Sequence, residues 1–202
     1  MDIELEIKPV KLPREIEKFL READERVYDY LEHSRVRHAG FVPSDFVTVY
    51  QTMRALVQKN LMTGDTFLEW GSGFGVVASL ASMMDFEAYG IEIELPLVES
   101  SRELAEDFEL SVEFTHGSFI PPGCEDIVDA GFSTDPFWLE CESDNAYHEM
   151  GLFPDDFDVI FTYPWPSEED VIGDLFDQCA ARDALLLTYT QTDHVRVRRK
   201  VR

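Results

Sequence analysis

The chain has 202 residues, 45% of them apolar, and 41 Asp and Glu against 17 Lys and Arg, for a formal net charge of −24. That length and apolar content are those of one globular domain with a single core. No apolar run approaches membrane-spanning length, and the polar, acidic start MDIELEIKPVK has neither the basic region nor the apolar stretch of a secretory leader, so a cytoplasmic protein is expected.

The charge is unevenly placed. Between residues 60 and 181 Arg102 is the only base, against 28 Asp and Glu. Binding a phosphate backbone requires lysines and arginines that replace condensed counterions, so nucleic acid is a poor partner for this half of the chain. A cationic partner would be steered toward it, although an acidic surface of the kind found in salt-adapted proteins gives the same composition without any such partner. Cys124, Cys141 and Cys179 are odd in number and form no C-x-x-C pair, which suggests buried or incidental thiols rather than a disulfide framework or a zinc ribbon.

In chain order, Leu12, Ile16, Leu20, Ala23, Val27 and Leu31 recur at helical spacing behind Pro13, and predict an amphipathic helix over 13–31. A second helix follows GFVP, with Ser44 as its cap and Phe46, Val47, Tyr50, Met53 and Val57 on one face, until Thr63-Gly64-Asp65 turns the chain. Residues 66–94, TFLEWGSGFGVVASLASMMDFEAYGIEIE, then read as strand, glycine turn, helix and strand. Gly71, Gly73 and Gly75 let the backbone approach a ligand closely, with Gly73 expected at the point of contact. A dinucleotide fingerprint, G-x-G-x-x-G/A, would need Gly or Ala at position 76, where Val76 stands, and no second nucleotide half follows. A nicotinamide-dependent oxidoreductase is therefore disfavoured.

The observed form, Glu69-x-Gly71-x-Gly73-x-Gly75 with Glu92 closing the next strand, resembles motif I of the class I S-adenosylmethionine-dependent methyltransferases. The resemblance implies an α/β fold, a three-layer Rossmann-like sheet with helices on both faces, and S-adenosyl-L-methionine as cofactor. It assigns cofactor contacts to Glu69, Gly71, Ser72, Gly73, Gly75, Glu92 and Ile93. The Glu92 carboxylate would accept both hydroxyls of the cofactor ribose, whereas Glu94 is expected past the strand end and clear of it. The stretch Phe41-Val42-Pro43-Ser44 and its helix also look like the segment preceding motif I in bacterial and mitochondrial seven-strand protein-lysine methyltransferases.

Beyond Glu92, Pro96 opens a helix with Leu97, Val98, Leu104, Ala105 and Phe108 inward, and a third strand over 111–115 ends at His116-Gly117-Ser118-Phe119. In the family this strand end often reads Gly-Asp, the acid taking the adenine amino group. Here the resemblance places Gly117, Ser118 and Phe119 at the adenine, with a hydroxyl in the acid's place and Phe119 free to stack. Residues 121–156, with Phe132, Phe137, Trp138, Tyr147 and Phe153 in no clean period, read as an insertion that either shapes a substrate pocket or packs on the core. The lone pair His148-Glu149 suggests a base or a metal ligand only weakly, and no metal is expected.

A fourth strand, DVIFT over 158–162, leads into Tyr163-Pro164-Trp165-Pro166, which matches the position of motif IV. Nucleobase amino-methyltransferases carry Asp/Asn-Pro-Pro-aromatic there; Tyr163 replaces the polar residue, so Tyr163, Pro164 and Trp165 are expected to form an aromatic substrate wall. Ser167 caps the next helix, residues 184–190 form a fifth strand, and the tail alternates Val195, Val197 and Val201 with Arg196, Arg198, Lys200 and Arg202 as a half-buried strand. The family normally closes its sheet with a sixth and seventh strand, and this chain supplies at most one of them after residue 190. Either the sheet lacks its last strand or a second subunit completes the edge, which would make a homodimer.

The whole is one methyltransferase-like domain over 1–202, with a helical cap at 1–62 and a Rossmann-like core at 63–202. Its expected activity is methyl transfer to nitrogen of a small molecule or basic protein, with His116 or His148 as a candidate base. The alternative is a non-catalytic S-adenosylmethionine-binding scaffold that holds a basic partner.

Overall fold

The computed structural model describes residues 1–33, 41–131, 139 and 146–201. A short strand β1 (Asp2–Ile3) is followed by helices α1 (Arg14–His33) and α2 (Phe46–Gln58). Strand and helix then alternate as β2 (Thr66–Trp70), α3 (Val76–Ser82), β3 (Glu87–Glu92), α4 (Leu95–Asp107) and β4 (Val112–His116). Two helices, α5 (Glu125–Gly131) and α6 (Ala146–Met150), and a 3₁₀ turn at Pro154–Asp156 lead into β5 (Val159–Thr162), α7 (Glu169–Cys179), β6 (Leu185–Tyr189) and β7 (Val195–Arg199).

The strands form one sheet in the order β1-β7-β6-β5-β2-β3-β4. β4, β3, β2, β5 and β6 run parallel, β7 is antiparallel to β6, and β1 is antiparallel to β7. Because successive side chains leave a strand on opposite faces, each central strand feeds two cores. Phe67, Val159, Phe161, Leu185 and Leu187 pack with α1, α2 and α3 on one side. Leu68, Trp70, Ile160 and Leu186 pack with α5, α6 and α7 on the other. Burial on both faces explains why these strands read as continuous apolar runs.

The sheet does not lack its seventh strand. Asp2 and Ile3 pair with Arg198 and Val197, so the edge beside β7 is occupied by the chain's own first residues rather than by a second subunit. A two-residue strand has no alternation to detect, which is why the sequence reading left the position open.

Both caps shift by one residue. Asp45, not Ser44, caps α2, its Oδ1 accepting from the N–H of Val47 (3.0 Å) and Thr48 (3.1 Å). The cap position of α7 falls on Glu168, not Ser167. The inward face of α2 also differs from the expected one: Val49, Tyr50, Met53 and Leu56 are buried while Val47 and Val57 are exposed. Of the insertion's aromatics, Tyr147 is fully buried and Phe153 is exposed; Phe132, Phe137 and Trp138, like Cys141, lie outside the described residues. Among the described residues no helix is long and apolar enough to cross a membrane.

Candidate functional site

The chain leaves β2 to build β3 and β4 on one side and returns to build β5 and β6 on the other. A crevice at such a switch point, outside the carboxyl ends of parallel strands, is where open α/β sheets hold ligands. Here it is a cleft of about 240 Å³. Its floor is the turn after β2, one wall is the end of β3, the opposite wall follows β5, and residues 41–44 and Phe46 close one side.

The backbone of the glycine turn is drawn into a left-handed path, with φ of +72° at Gly71, +53° at Gly73 and +65° at Gly75, values that cost a side-chain-bearing residue steric energy. The three have different surroundings. A Cβ on Gly71 would meet nothing within 4 Å, so that backbone faces the open cleft. A Cβ on Gly73 would come within 2.6 Å of the Phe41 ring, which covers it. Gly75 does not line the cleft: it caps α3, and a Cβ there would fall 2.3 Å from Phe114. Gly71 and Gly73 both line the cleft, Gly71 uncovered and Gly73 under the Phe41 ring.

Because Gly75 has no side chain with which to cap α3, the free amides of the first turn need another acceptor. Glu69 provides it from the end of β2, Oε2 accepting from the N–H of Ala78 at 2.8 Å. This carboxyl is fully enclosed, and burial pushes its pKa well above the ordinary glutamate range; the Ala78 bond opposes the shift and the charge of Glu92 adds to it. Glu92 ends β3 with both oxygens engaged: Oε2 accepts from the N–H of Gly73 (2.8 Å) and Oε1 from that of Glu94 (2.9 Å). Burial raises its pKa too, against the pull of these amides. Each carboxylate oxygen has two lone pairs, so Glu92 is oriented by the protein and keeps acceptor capacity for a ligand diol.

Glu94 does not leave the cleft. The chain turns at residue 93 into α4, whose cap is Glu94 itself, and this brings Glu94 into the lining beside Ile93. Ser72 also lines the cleft, with a buried hydroxyl that finds no hydrogen-bond partner in the protein. Gly117 and Ser118 stay outside the lining, Ser118 Oγ accepting from the N–H of Ile120 at 3.1 Å. Phe119 is in place, stacked on Trp70 with ring centroids 5.4 Å apart and an interplanar angle of 11°. Trp70 Nε1 donates to Tyr147 Oη (2.8 Å), and Tyr147 Oη donates to the Phe119 carbonyl (2.8 Å). The insertion thus buttresses this wall from behind.

Across the cleft, Tyr163, Pro164 and Trp165 all line the side that follows β5. Tyr163 sits edge-on to Tyr189 at 4.7 Å. Glu168, which the sequence reading missed, lines the same side at 3% exposure, with Oε2 accepting from the N–H of Trp165 at 3.2 Å. Its signal was its position at the cap of the helix that follows the apolar strand and its aromatic turn. Neither candidate histidine lines the cleft: His116 Nε2 contacts the Ile93 carbonyl at 2.9 Å, and His148 is exposed on α6. Among the described residues the lining holds four carboxylates and no Lys, Arg or His.

The sheet order, the antiparallel seventh strand position and the cleft define the Rossmann-like fold of the class I methyltransferases. No family model matches the sequence and no curated protein is similar to it. An RNA methyltransferase from Salinibacter ruber in complex with S-adenosyl-L-homocysteine shares the fold at a TM-score of 0.50 and 19% identity, over 73% of this chain and 76% of that one. A methyltransferase from Geobacter sulfurreducens aligns at 0.48 and 15% identity over 89% and 74% of the two chains. A S-adenosylmethionine-dependent methyltransferase from Thiobacillus denitrificans, also with S-adenosyl-L-homocysteine, aligns at 0.44 and 18% identity, over 89% of this chain and 56% of that one.

Proposed function

We propose that the cleft binds S-adenosyl-L-methionine and that the protein transfers its methyl group to a nitrogen of a cationic small molecule or a basic protein side chain. The observation that carries this reading is Glu92: a buried carboxylate at the end of the second core strand, oriented by two backbone amides and facing a cleft whose floor at Gly71 is open. The unpartnered Ser72 hydroxyl fits the same ligand. When bound, S-adenosylmethionine supplies a methyl group already activated on sulfur, so positioning and exclusion of water are what remain for the protein.

Tyr163, Pro164 and Trp165 form a stiff wall that orients the acceptor, and Glu168 beside them holds its positive charge. Nitrogen must be neutral when it attacks, and a carboxylate-lined cleft favours its charged form. Glu168 is then the nearest group to receive the proton. The Salinibacter protein acts on RNA by its name; here four carboxylates without a lining base argue for an acceptor other than a phosphate-bearing strand.

A second reading, a scaffold that binds S-adenosylmethionine and a basic partner without turnover, is favoured by one observation: neither candidate histidine base lines the cleft. Calorimetric titration of S-adenosylmethionine into wild type, Glu92→Ala and Glu99→Ala tests the cofactor assignment. Glu99 lies exposed on α4, outside the cleft lining. Hydrogen bonds to a charged group contribute about 1.5–3 kcal/mol, so Glu92→Ala is expected to weaken binding roughly 10- to 150-fold and Glu99→Ala to leave it unchanged. Equal affinities in the two variants would remove the assignment. Saturable binding with no labelled methyl transferred to any amine or basic peptide would favour the scaffold.

A further inference from the structure

Two thiols with no relation in sequence meet in the fold. Cys124 Sγ lies 2.8 Å from Cys179 Sγ, although 55 residues separate them. Cys124 immediately precedes α5 and is buried in the core that α5, α6 and α7 share, and Cys179 is the last residue of α7, half-buried. A disulfide of about 2.05 Å needs the sulfurs to approach by only roughly 0.8 Å.

We propose that Cys124 and Cys179 form a dithiol–disulfide modification site that, when oxidised, fastens the start of α5 to the end of α7. The oxidant is a low-molecular-weight disulfide such as oxidised glutathione. The Cys179 sulfur, the more exposed of the two, loses its proton and attacks one glutathione sulfur; a mixed disulfide forms and one glutathione thiolate leaves. The deprotonated Cys124 sulfur then attacks Cys179 in that mixed disulfide and releases the second thiolate. The two protein thiols lose two electrons, oxidised glutathione gains them, and the two protons end on two glutathione thiols.

The surroundings set the rate and the permanence of the bond. Burial, then the hydrogen bond and charge of Cys124, push the Cys179 thiol up to about 12, with Lys200 pulling it down and Asp155 raising it further. Closure is therefore slow at neutral pH and faster in alkali, and a closed bond resists reduction because its leaving thiolate is a poor one. The segment it fastens follows directly on Phe119, and Tyr147 lies in the same core, so the bond would stiffen one wall of the cleft.

The experiment uses the full chain carrying Cys141→Ser, incubated with oxidised glutathione at pH 8.5, acid-quenched, and examined by intact mass and non-reducing peptide mapping. The expected result is a peptide joined through Cys124 and Cys179, a mass lower by about two hydrogens, and a Tm raised by roughly 5–10 °C, all reversed by dithiothreitol. The same treatment of Cys141→Ser with Cys179→Ala should leave Tm where it was. Stable glutathione adducts without an internal bond, disulfide-linked dimers, or two unreacted thiols after prolonged treatment would each overturn the proposal, as would a preferred bond to Cys141 in the wild-type chain.

Discussion

Glu69 and Glu92 place two carboxyl groups at one cleft, and burial raises the pKa of both, so ionising them costs folding free energy. For a carboxyl whose pKa is raised by folding, the native state binds the proton more tightly than the unfolded chain. Its destabilising contribution is absent below the ordinary glutamate pKa, grows as pH rises through the raised value, and is complete above it. Glu69→Gln keeps an oxygen for the Ala78 amide and removes the ionisable group. It should raise the Tm of the ligand-free protein at pH 8 by roughly 2–4 °C, the effect of about 1 kcal/mol in a chain of this size, and the gain should vanish near pH 4. A gain of equal size at both pH values, measured by differential scanning calorimetry, would mean that charge is not its cause. These two acids were legible in the sequence because Glu69 is the last residue but one of β2 and Glu92 the last of β3, where direction follows from the strand itself. Gly75 and Ser118 were less legible. A motif spacing locates a backbone position, and whether that position faces a ligand or a neighbouring helix depends on Phe114 and Ile120, which belong to other parts of the chain.

At the scale of elements, the Tyr147 hydroxyl ties α6 to the wall of the cleft. Tyr147 Oη accepts from Trp70 Nε1 and donates to the Phe119 carbonyl, with both partners in the cleft wall. Tyr147→Phe retains the ring and leaves a buried indole N–H unpaired, a change that costs about 1–3 kcal/mol. The expected outcome is a Tm lower by roughly 3–10 °C in thermal denaturation; an unchanged Tm would show that water replaces the hydroxyl at no cost. The central strands and long helices could be read from periodicity, since double burial gives apolar runs and one-sided burial gives the 3.6-residue stripe of α1. The insertion could not, because no period in the sequence distinguishes the buried Tyr147 from the exposed Phe153. The one-residue errors at both caps have a related origin: Ser44 and Asp45 are both good cap residues, and the choice between them is made by where Tyr50 and Met53 must point to be buried.

Across the whole molecule, charge sets the conditions of stability. The bases are concentrated near the two ends of the sequence, and those of β7 are spent on the fold. Arg198 Nη2 donates to the Gly173 carbonyl at 2.7 Å and pairs with Asp177 at 3.2 Å, Arg199 reaches the carbonyls of Asp183 and Leu61, and the buried Lys200 ammonium donates to the carbonyl of Ala180. Asp107, Glu169 and Asp177 are paired with Arg26, Arg196 and Arg198, but residues 60–181 carry 28 acids against one arginine, and the excess negative charge repels itself. Screening contracts from a length of about 10 Å at 0.1 M salt to about 3 Å at 1 M, so raising sodium chloride over that range should lift Tm by roughly 5 °C, equivalent to about 1–2 kcal/mol. A flat or falling Tm would show that the acids are too far apart to matter. The pairing of β1 with β7 has a temporal side as well. Arg199 N–H donates to the carbonyl of Met1 at 2.8 Å, so the outermost strand of the sheet joins the first residues of this chain to nearly the last. On a ribosome, Asp2 and Ile3 emerge long before the strand they pair with, and they wait for residues 197 and 198 to be made. The outer edge of the sheet therefore cannot close until synthesis has passed residue 198, however early the rest of the sheet forms.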